Sequence, residues 1–358
     1  MTDGSPAVST ASAVSPDSGE HWSAEGAWPV AEGIYRIPLP LPTDGLKAVN
    51  VYVIEMNDGL ALIDGGWAIE VARSQLERCL QGLGYGPSHI RRFLVTHVHR
   101  DHYTMASILG HEFSASTALG LAEKPALDLI NDRDRPEDIS FARALTAAGA
   151  ADIAEEWSRA GRPPMDPALW RYPDTWLDGD QRIEVGTRTL DAVHTPGHTP
   201  GHFVFADGSD RLLFAGDHIL PTITPSIGFS LPATPNPLGD FMASLTKVRA
   251  LPDLTVLPAH GPVAPSSHAR IDELLAHHES RLEKCLAAIT SSATARQVAR
   301  ALVWTRRETS LDELDVFNRG LAVMETKAHL DLLVAQGGAV ASVVAGVTFY
   351  ARLKGNCR

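Results

Sequence analysis

One short stretch constrains this chain more than any other: Thr96-His97-Val98-His99-Arg100-Asp101-His102, at the end of the apolar run Ile90–Thr96. Side chains two apart in an extended chain point to the same side. His97 and His99 can therefore grip one cation together. Asp101 and His102 lie just beyond, where the chain turns, within reach of a second. Neutral imidazoles and a carboxylate suit Zn2+, and also iron or manganese. Four ligand-type residues in six positions at a strand end set this apart from an ordinary solvated polar cluster.

A pair of cations needs more donors, and the chain holds fifteen histidines. Thr195-Pro196-Gly197-His198-Thr199-Pro200-Gly201-His202 builds a fixed turn that presents a ring. Asp217 ends the strand-like run Leu213–Ala215, and its two oxygens can each bind one ion. His260 ends another short strand, Val256-Leu257-Pro258-Ala259. His194 and His202 flank the turn and read as structural, and His218 follows Asp217. His111, His277, His278 and His329 read as surface or helix residues, and His21 falls in the N-terminal tail.

The surrounding pattern is α/β. Runs rich in β-branched residues at Ile34–Leu39, Ala48–Met56 and Leu60–Ile63 read as strands, the last two joined by an Asn57-Asp58-Gly59 turn. Ala68–Leu83 has helical periodicity. Strand patterns return at Arg182–Val185, Thr187–Val193, Phe203–Ala206, Arg211–Ala215 and Leu254–Leu257. Strands interleaved with a helix imply an α/β sheet of mixed direction.

Residues 1–27 are rich in Ser, Ala, Pro and Gly, start acidic and never become apolar, so they read as a disordered tail and not as a signal peptide. Residues 28–267 form the α/β domain. Within it, 121–180 reads as a helical insertion, with helices over Asp138–Ala148 and Asp152–Ala160 and a break at Arg162-Pro163-Pro164. Its aromatics Trp157, Trp170, Tyr172 and Trp176 are candidates to roof the site, and Ile227, Phe229 and Leu231 of the Pro221–Pro237 loop are candidates for another wall. Residues 268–358 read as helices over Ala269–Ile289, Ala295–Trp304 and Leu311–Gln336 with a hairpin over Val340–Leu353, a winged-helix-like order.

The five pieces Asp64-Gly65, His97-x-His99-x-Asp101-His102, His198, Asp217 and His260 resemble the metallo-beta-lactamase superfamily, in order, over residues 33–265. The resemblance implies a four-layer αββα sandwich with the site at one edge. It implies that His97, His99 and His198 hold one metal, that Asp101, His102 and His260 hold a second, that Asp217 bridges them, and that Asp64 orients the site from behind the ligands. Within the superfamily, the Thr-Pro-Gly-His-Thr-Pro-Gly-His run is similar to glyoxalase II-like thioesterases. The C-terminal end is similar to beta-lactamase-like protein 2, an endoribonuclease-type relative.

Two cations can clamp one water and ionise it near neutral pH. Asp101 is placed to take or orient its proton. The implied activity is hydrolysis of a small ester, thioester or lactone by a metal-bound hydroxide. A metal-dependent endoribonuclease and a metal-bound nucleic-acid-binding regulator are the alternatives. A net charge of −12 argues against a dedicated nucleic-acid binder, although 268–358 alone is slightly basic. No apolar run approaches the ~20 residues of a bilayer span. Cys79, Cys285 and Cys357 are scattered and unpaired in pattern, as in a reduced cytoplasmic protein. The expected partner is a small acyl substrate, and the C-terminal region reads as a packing module or a homodimer contact.

Overall fold

The computed structural model describes residues 21–42, 45–132, 139–160, 166–230, 232–305 and 308–353. Two sheets lie face to face within it. The first runs in chain order: β1 (Trp28–Ala31), β2 (Ile34–Pro40), β3 (Ala48–Met56), β4 (Gly59–Ile63), β5 (Ile90–Leu94), β6 (Ser116–Gly120) and β7 (Thr175–Leu177). Neighbours from β1 to β4 are antiparallel, and those from β4 to β7 are parallel. Parallel neighbours need crossovers. Helices α1 (Glu70–Gly82) and α2 (Arg100–Phe113) supply the first two. The third passes through α3 (Lys124–Asn131), α4 (Ile139–Ala147) and α5 (Ala151–Ala160). The second sheet has the order β12-β11-β10-β9-β8. Its strands are β8 (Gln181–Val185), β9 (Arg188–His194), β10 (Phe203–Asp207), β11 (Leu212–Gly216) and β12 (Thr255–Pro258), with α6 (Pro237–Arg249) crossing between the last two.

Strand periodicity sorts the side chains into layers. In β3, Val49, Val51 and Val53 face α1 and α2, while Tyr52 and Ile54 face the second sheet. The inter-sheet core joins them to Phe203, Phe205, Phe214 and Leu257. The outer face of the second sheet, with Val204, Leu213 and Val256, is covered by α6 and by α7 (Ser267–Ala288). The result is the expected four-layer αββα sandwich.

The C-terminal region adds α8 (Ala295–Arg300), the short pair β13 (Val303–Trp304) and β14 (Thr309–Ser310), α9 (Val316–Ala335), and the hairpin β15 (Ala339–Val344) and β16 (Val347–Arg352). Ala293 bridges Tyr350 of the hairpin, completing a winged-helix topology. Its buried side chains share one cluster with α4, α5 and the second sheet. Helix α9 packs against α4, α5, α6, α7, α8 and β15 and buries ten residues spread around its circumference. A helix apolar on all sides is an enclosed helix.

Several expectations change. Residues 21–27, read as tail, are ordered: the Trp22 carbonyl accepts from Arg36, and Glu25 pairs with Arg78. The rest of that tail, the Arg162-Pro163-Pro164 break, Leu231 and Cys357 lie outside the described residues. The helix expected over Leu311–Gln336 is interrupted, because Asp315 caps α9 through the Asn318 amide (2.9 Å) after a separate turn at Leu311–Glu313. His278 and His329, read as surface or helix residues, lie on α7 and α9 and form a buried pair, 3.2 Å apart. Among the described residues no helix is long and apolar enough to cross a membrane.

Candidate metal centre

All seven candidate ligands come from the ends of strands at one rim of the sandwich. His97 and His99 follow β5, Asp101 and His102 open α2, His198 sits between β9 and β10, Asp217 follows β11, and His260 follows β12. They converge as two groups: His97, His99, His198 and Asp217, and Asp101, His102 and His260. His99 Nδ1 lies 3.0 Å from both His97 Nε2 and His198 Nε2. Asp217 faces both groups with different atoms. Its Oδ2 is 3.4 Å from His198 Nε2, and its Oδ1 is 3.4 Å from His260 Nε2 and 3.6 Å from His102 Nε2. Asp101 Oδ2 completes the second group at 3.4 Å from His260 Nε2 and 3.7 Å from His102 Nε2.

Acceptors behind the rings decide which nitrogen each ring turns inward. His198 donates Nδ1–H to the Ser226 carbonyl and His260 donates Nδ1–H to the Ala48 carbonyl, each at 2.8 Å. A carbonyl only accepts, so both Nε2 atoms carry a lone pair toward the centre. His102 donates Nδ1–H to Asp64 at 2.9 Å. Asp64 also accepts the Thr96 amide at 2.7 Å and the Thr96 hydroxyl at 3.0 Å, which leaves the Thr96 oxygen to accept from His97 Nδ1 at 3.0 Å. Asp64 therefore sets the tautomers of two rings and itself faces away from the cluster. The close seating of α2 on this corner requires Gly65, where a Cβ would stand 2.3 Å from the Ala106 nitrogen.

Charge is divided between the groups. Burial, reinforced by mutual repulsion, lowers His99 to about 3. Burial likewise lowers His198 to about 4, against its bond to Ser226, and it leaves both rings neutral with His97. At His102 burial is overcome by Asp64, Asp101 and Asp217, which raise it to about 10. Burial also works against the ionised form of Asp101, yet the His102 and His260 rings hold its carboxyl well below the usual range. His102 Nε2, His260 Nε2 and Asp217 Oδ1 are buried and have no hydrogen-bond partner among the described residues. Buried polar atoms are almost always satisfied. Three aimed at one point form a donor set that divalent cations fit, with neutral imidazoles at one position and carboxylates beside imidazoles at the other.

The neighbouring histidines stand behind. His202 accepts the Asp217 amide on Nε2 at 3.1 Å, with Nδ1 toward Thr195 at 2.9 Å. His194 meets the Pro200 carbonyl at 2.8 Å. The aromatics named as roof candidates pack in different places. Trp170 packs near Tyr103 in the α2 layer, and Tyr172 lies by Trp176. Trp157 does reach the Ser226 loop, where it packs on Phe229, while Ile227 is buried in the helical core. The site also uses residues the sequence did not reveal. The Ser226 and Ala48 carbonyls act through backbone and leave no side-chain signal. Glu123 is fully buried beside Thr199, and burial pushes its carboxyl up to about 7.

Known proteins resemble the chain in sequence and in fold. The chain is 27% identical over 257 residues to a lactamase-like protein of Emericella nidulans, across 70% of this chain and 63% of that one. It is 33% identical over 133 residues to an atrochrysone carboxyl ACP thioesterase of Paecilomyces divaricatus, across 35% of this chain and 40% of that one. The chain thus spans about half the length of the curated relatives it matches. The crystal structure of a metallo-beta-lactamase family protein of Thermus thermophilus superposes with a TM-score of 0.75 at 28% identity, covering 91% of this chain and all of that one. Residues 44–260 match the family model of the metallo-beta-lactamase superfamily. With the five motifs in order and their side chains gathered at one rim, this chain belongs to the metallo-beta-lactamase superfamily.

Proposed function

We propose that the protein is a dinuclear metal-dependent hydrolase of a small acyl substrate, an ester, thioester or lactone. The observation that carries this reading is Asp217, whose two oxygens face two separate groups of donors. His97, His99 and His198 would hold one cation, Asp101, His102 and His260 the other, with Asp217 between them. Zinc is the first candidate, and iron or manganese would use the same donors. When bound, two divalent cations supply Lewis acidity and a water ionised near neutral pH. The chain's own part is orientation and proton handling. Asp64 and the Ser226 and Ala48 carbonyls hold the rings. Asp101, with 15% of its side chain exposed against 9% or less for Asp217 and His260, would take or orient the proton of the attacking water through the carboxylate oxygen that is not turned toward His102 and His260. No serine or cysteine nucleophile is needed.

A thioester is favoured among acyl substrates by the thioesterase relative. The endoribonuclease and regulator alternatives draw on the winged-helix order, but α9, the helix that such a module would lay on nucleic acid, is enclosed. The test is elemental analysis of the purified protein paired with a panel of acyl thioesters, lactones and a short RNA. Two equivalents of metal and chelator-sensitive cleavage of an acyl substrate are expected. Cleavage of the RNA alone, or full acyl turnover after the metal is stripped, overturns the proposal.

A further inference from the structure

Glu123 has no part in the donor set, yet its place in the fold is unusual. It lies in the turn between β6 and α3, is wholly buried, and has no basic partner among the described contacts. A buried carboxylate costs free energy unless something holds it. Here the holder belongs to the site. The Thr199 hydroxyl, beside His198, donates to Oε1. The other oxygen, Oε2, is buried with no hydrogen-bond partner among the described residues. The approach is as tight as a backbone allows, for a Cβ on Gly201 would fall 2.5 Å from Glu123 Cγ and 2.6 Å from its nitrogen. The turn around His198 is closed on itself by the Gly197 amide donating to the Thr199 carbonyl at 3.0 Å, so displacing Thr199 displaces His198.

We propose that Glu123 is a positioning residue for the first cation: its side chain, bonded by Thr199 and seated against Gly201, fixes the turn bearing His198 and so sets where that ring stands beside His97 and His99. The second group is built from α2 and from the loops after β11 and β12, which Glu123 does not touch. The effect is therefore confined to one of the two positions. The second Pro-Gly pair, Pro200-Gly201, fits this approach: a side chain at 201 would collide with the Glu123 Cγ and backbone nitrogen. The inference rests on the metal-centre assignment above.

Titration of metal-free protein with Co2+ tests it, read by calorimetry and by visible absorption, which reports the ligand geometry of each cation. Wild-type protein taking up two Co2+ supports the metal-centre assignment; wild-type protein taking up none overturns that assignment and this inference together. Glu123→Ala is expected to weaken the first Co2+ by roughly 10- to 100-fold, the range for residues that orient ligands, and to change its absorption band, with the second Co2+ within about threefold of wild type. Glu123→Gln, which keeps the shape and one acceptor, is expected to restore most of the loss. Thr199→Val, which is nearly isosteric and leaves Glu123 in place, is expected to show the same selective weakening. Unchanged affinity and absorption in folded Thr199→Val, or equal weakening of both Co2+ ions in all three variants, overturns the proposal.

Discussion

At the scale of the residue, the centre is a set of rings whose inward nitrogens are chosen from behind. His99 is the exception that makes a test: its Nδ1 stands 3.0 Å from two other ring nitrogens, and among the described residues no carbonyl holds its ring from behind. It is held by the cluster itself. His99→Ala should remove one donor without disturbing the αββα core, so metal content should fall toward one equivalent. The loss in affinity should exceed the roughly 10- to 100-fold that ligand-orienting changes cost. Elemental analysis and a turnover assay check this, and full activity with metal stripped would sink the mechanism. The seven candidate donors could be picked out of the sequence because ligand chemistry uses few residue types and the strand period puts His97 and His99 on one side. Thr96 stood within the motif, but its role as a bridge between Asp64 and His97 depends on a hydroxyl orientation that only the fold supplies. Ser226 was invisible, since any residue offers the same carbonyl.

Elements supply the next level of control, and the loop before α6 shows it best. Its Ser226 carbonyl fixes His198, and two residues later Gly228 lies on α9 with φ +85°. A Cβ there would stand 3.0 Å from the Met324 carbonyl. The C-terminal helix thus supports the loop that holds the proposed ligand His198. Gly228→Ala should cost about 1–2 kcal/mol in backbone strain alone and should lift the loop from α9. The measurable result is a lower unfolding midpoint together with weaker binding of one cation; a variant that loses stability but binds both cations as wild type does would separate α9 from the site. Strands and long helices were readable from periodicity, because burial on one face imprints it. Helix α2 was not, because its first turn is spent on Asp101 and His102 and its remaining residues are buried on more than one side. Helix α6 was hidden behind a proline-rich approach, with Pro237 in its first turn serving as a start signal and not a breaker.

For the whole molecule, the insertion and the C-terminal region form one body with the outer face of the second sheet. Phe141, Trp157, Phe229 and Phe317 meet in one aromatic group, and Arg296 and Arg319 reach Asp152 and Glu156 across it. Linear order had separated these parts, because side chains so far apart along the chain carry no local sign that they touch. The insertion is therefore part of the core as well as a candidate specificity element, and Trp157→Ala should cost about 3–5 kcal/mol, read by denaturant unfolding. A cost below about 1 kcal/mol would show the aromatic group to be peripheral. The contact between α7 and α9 carries a further, pH-dependent consequence. His329 donates Nδ1–H to the Glu325 carbonyl at 2.8 Å, so its Nε2 accepts from His278 Nδ1 at 3.2 Å, and both rings are neutral. Burial lowers His278 to about 2, helped by repulsion from His329, and burial lowers His329 to about 4 against the pull of its Glu325 bond. An unfolded histidine titrates near ~6.5. Above that pH neither state takes a proton and the pair leaves stability unchanged. Below it the unfolded chain binds protons that the folded chain refuses, at about 1.4 kcal/mol per pH unit for each ring. The loss from His329 levels off near pH 4, where its folded form also protonates, while that from His278 continues. In metal-free protein the His278→Gln, His329→Gln double variant should therefore lose stability less steeply than wild type between about pH 6.5 and about 4.5. Urea midpoints across that range decide it: parallel acid limbs for the two proteins would mean that this buried pair is not what ties the C-terminal helices to neutral pH.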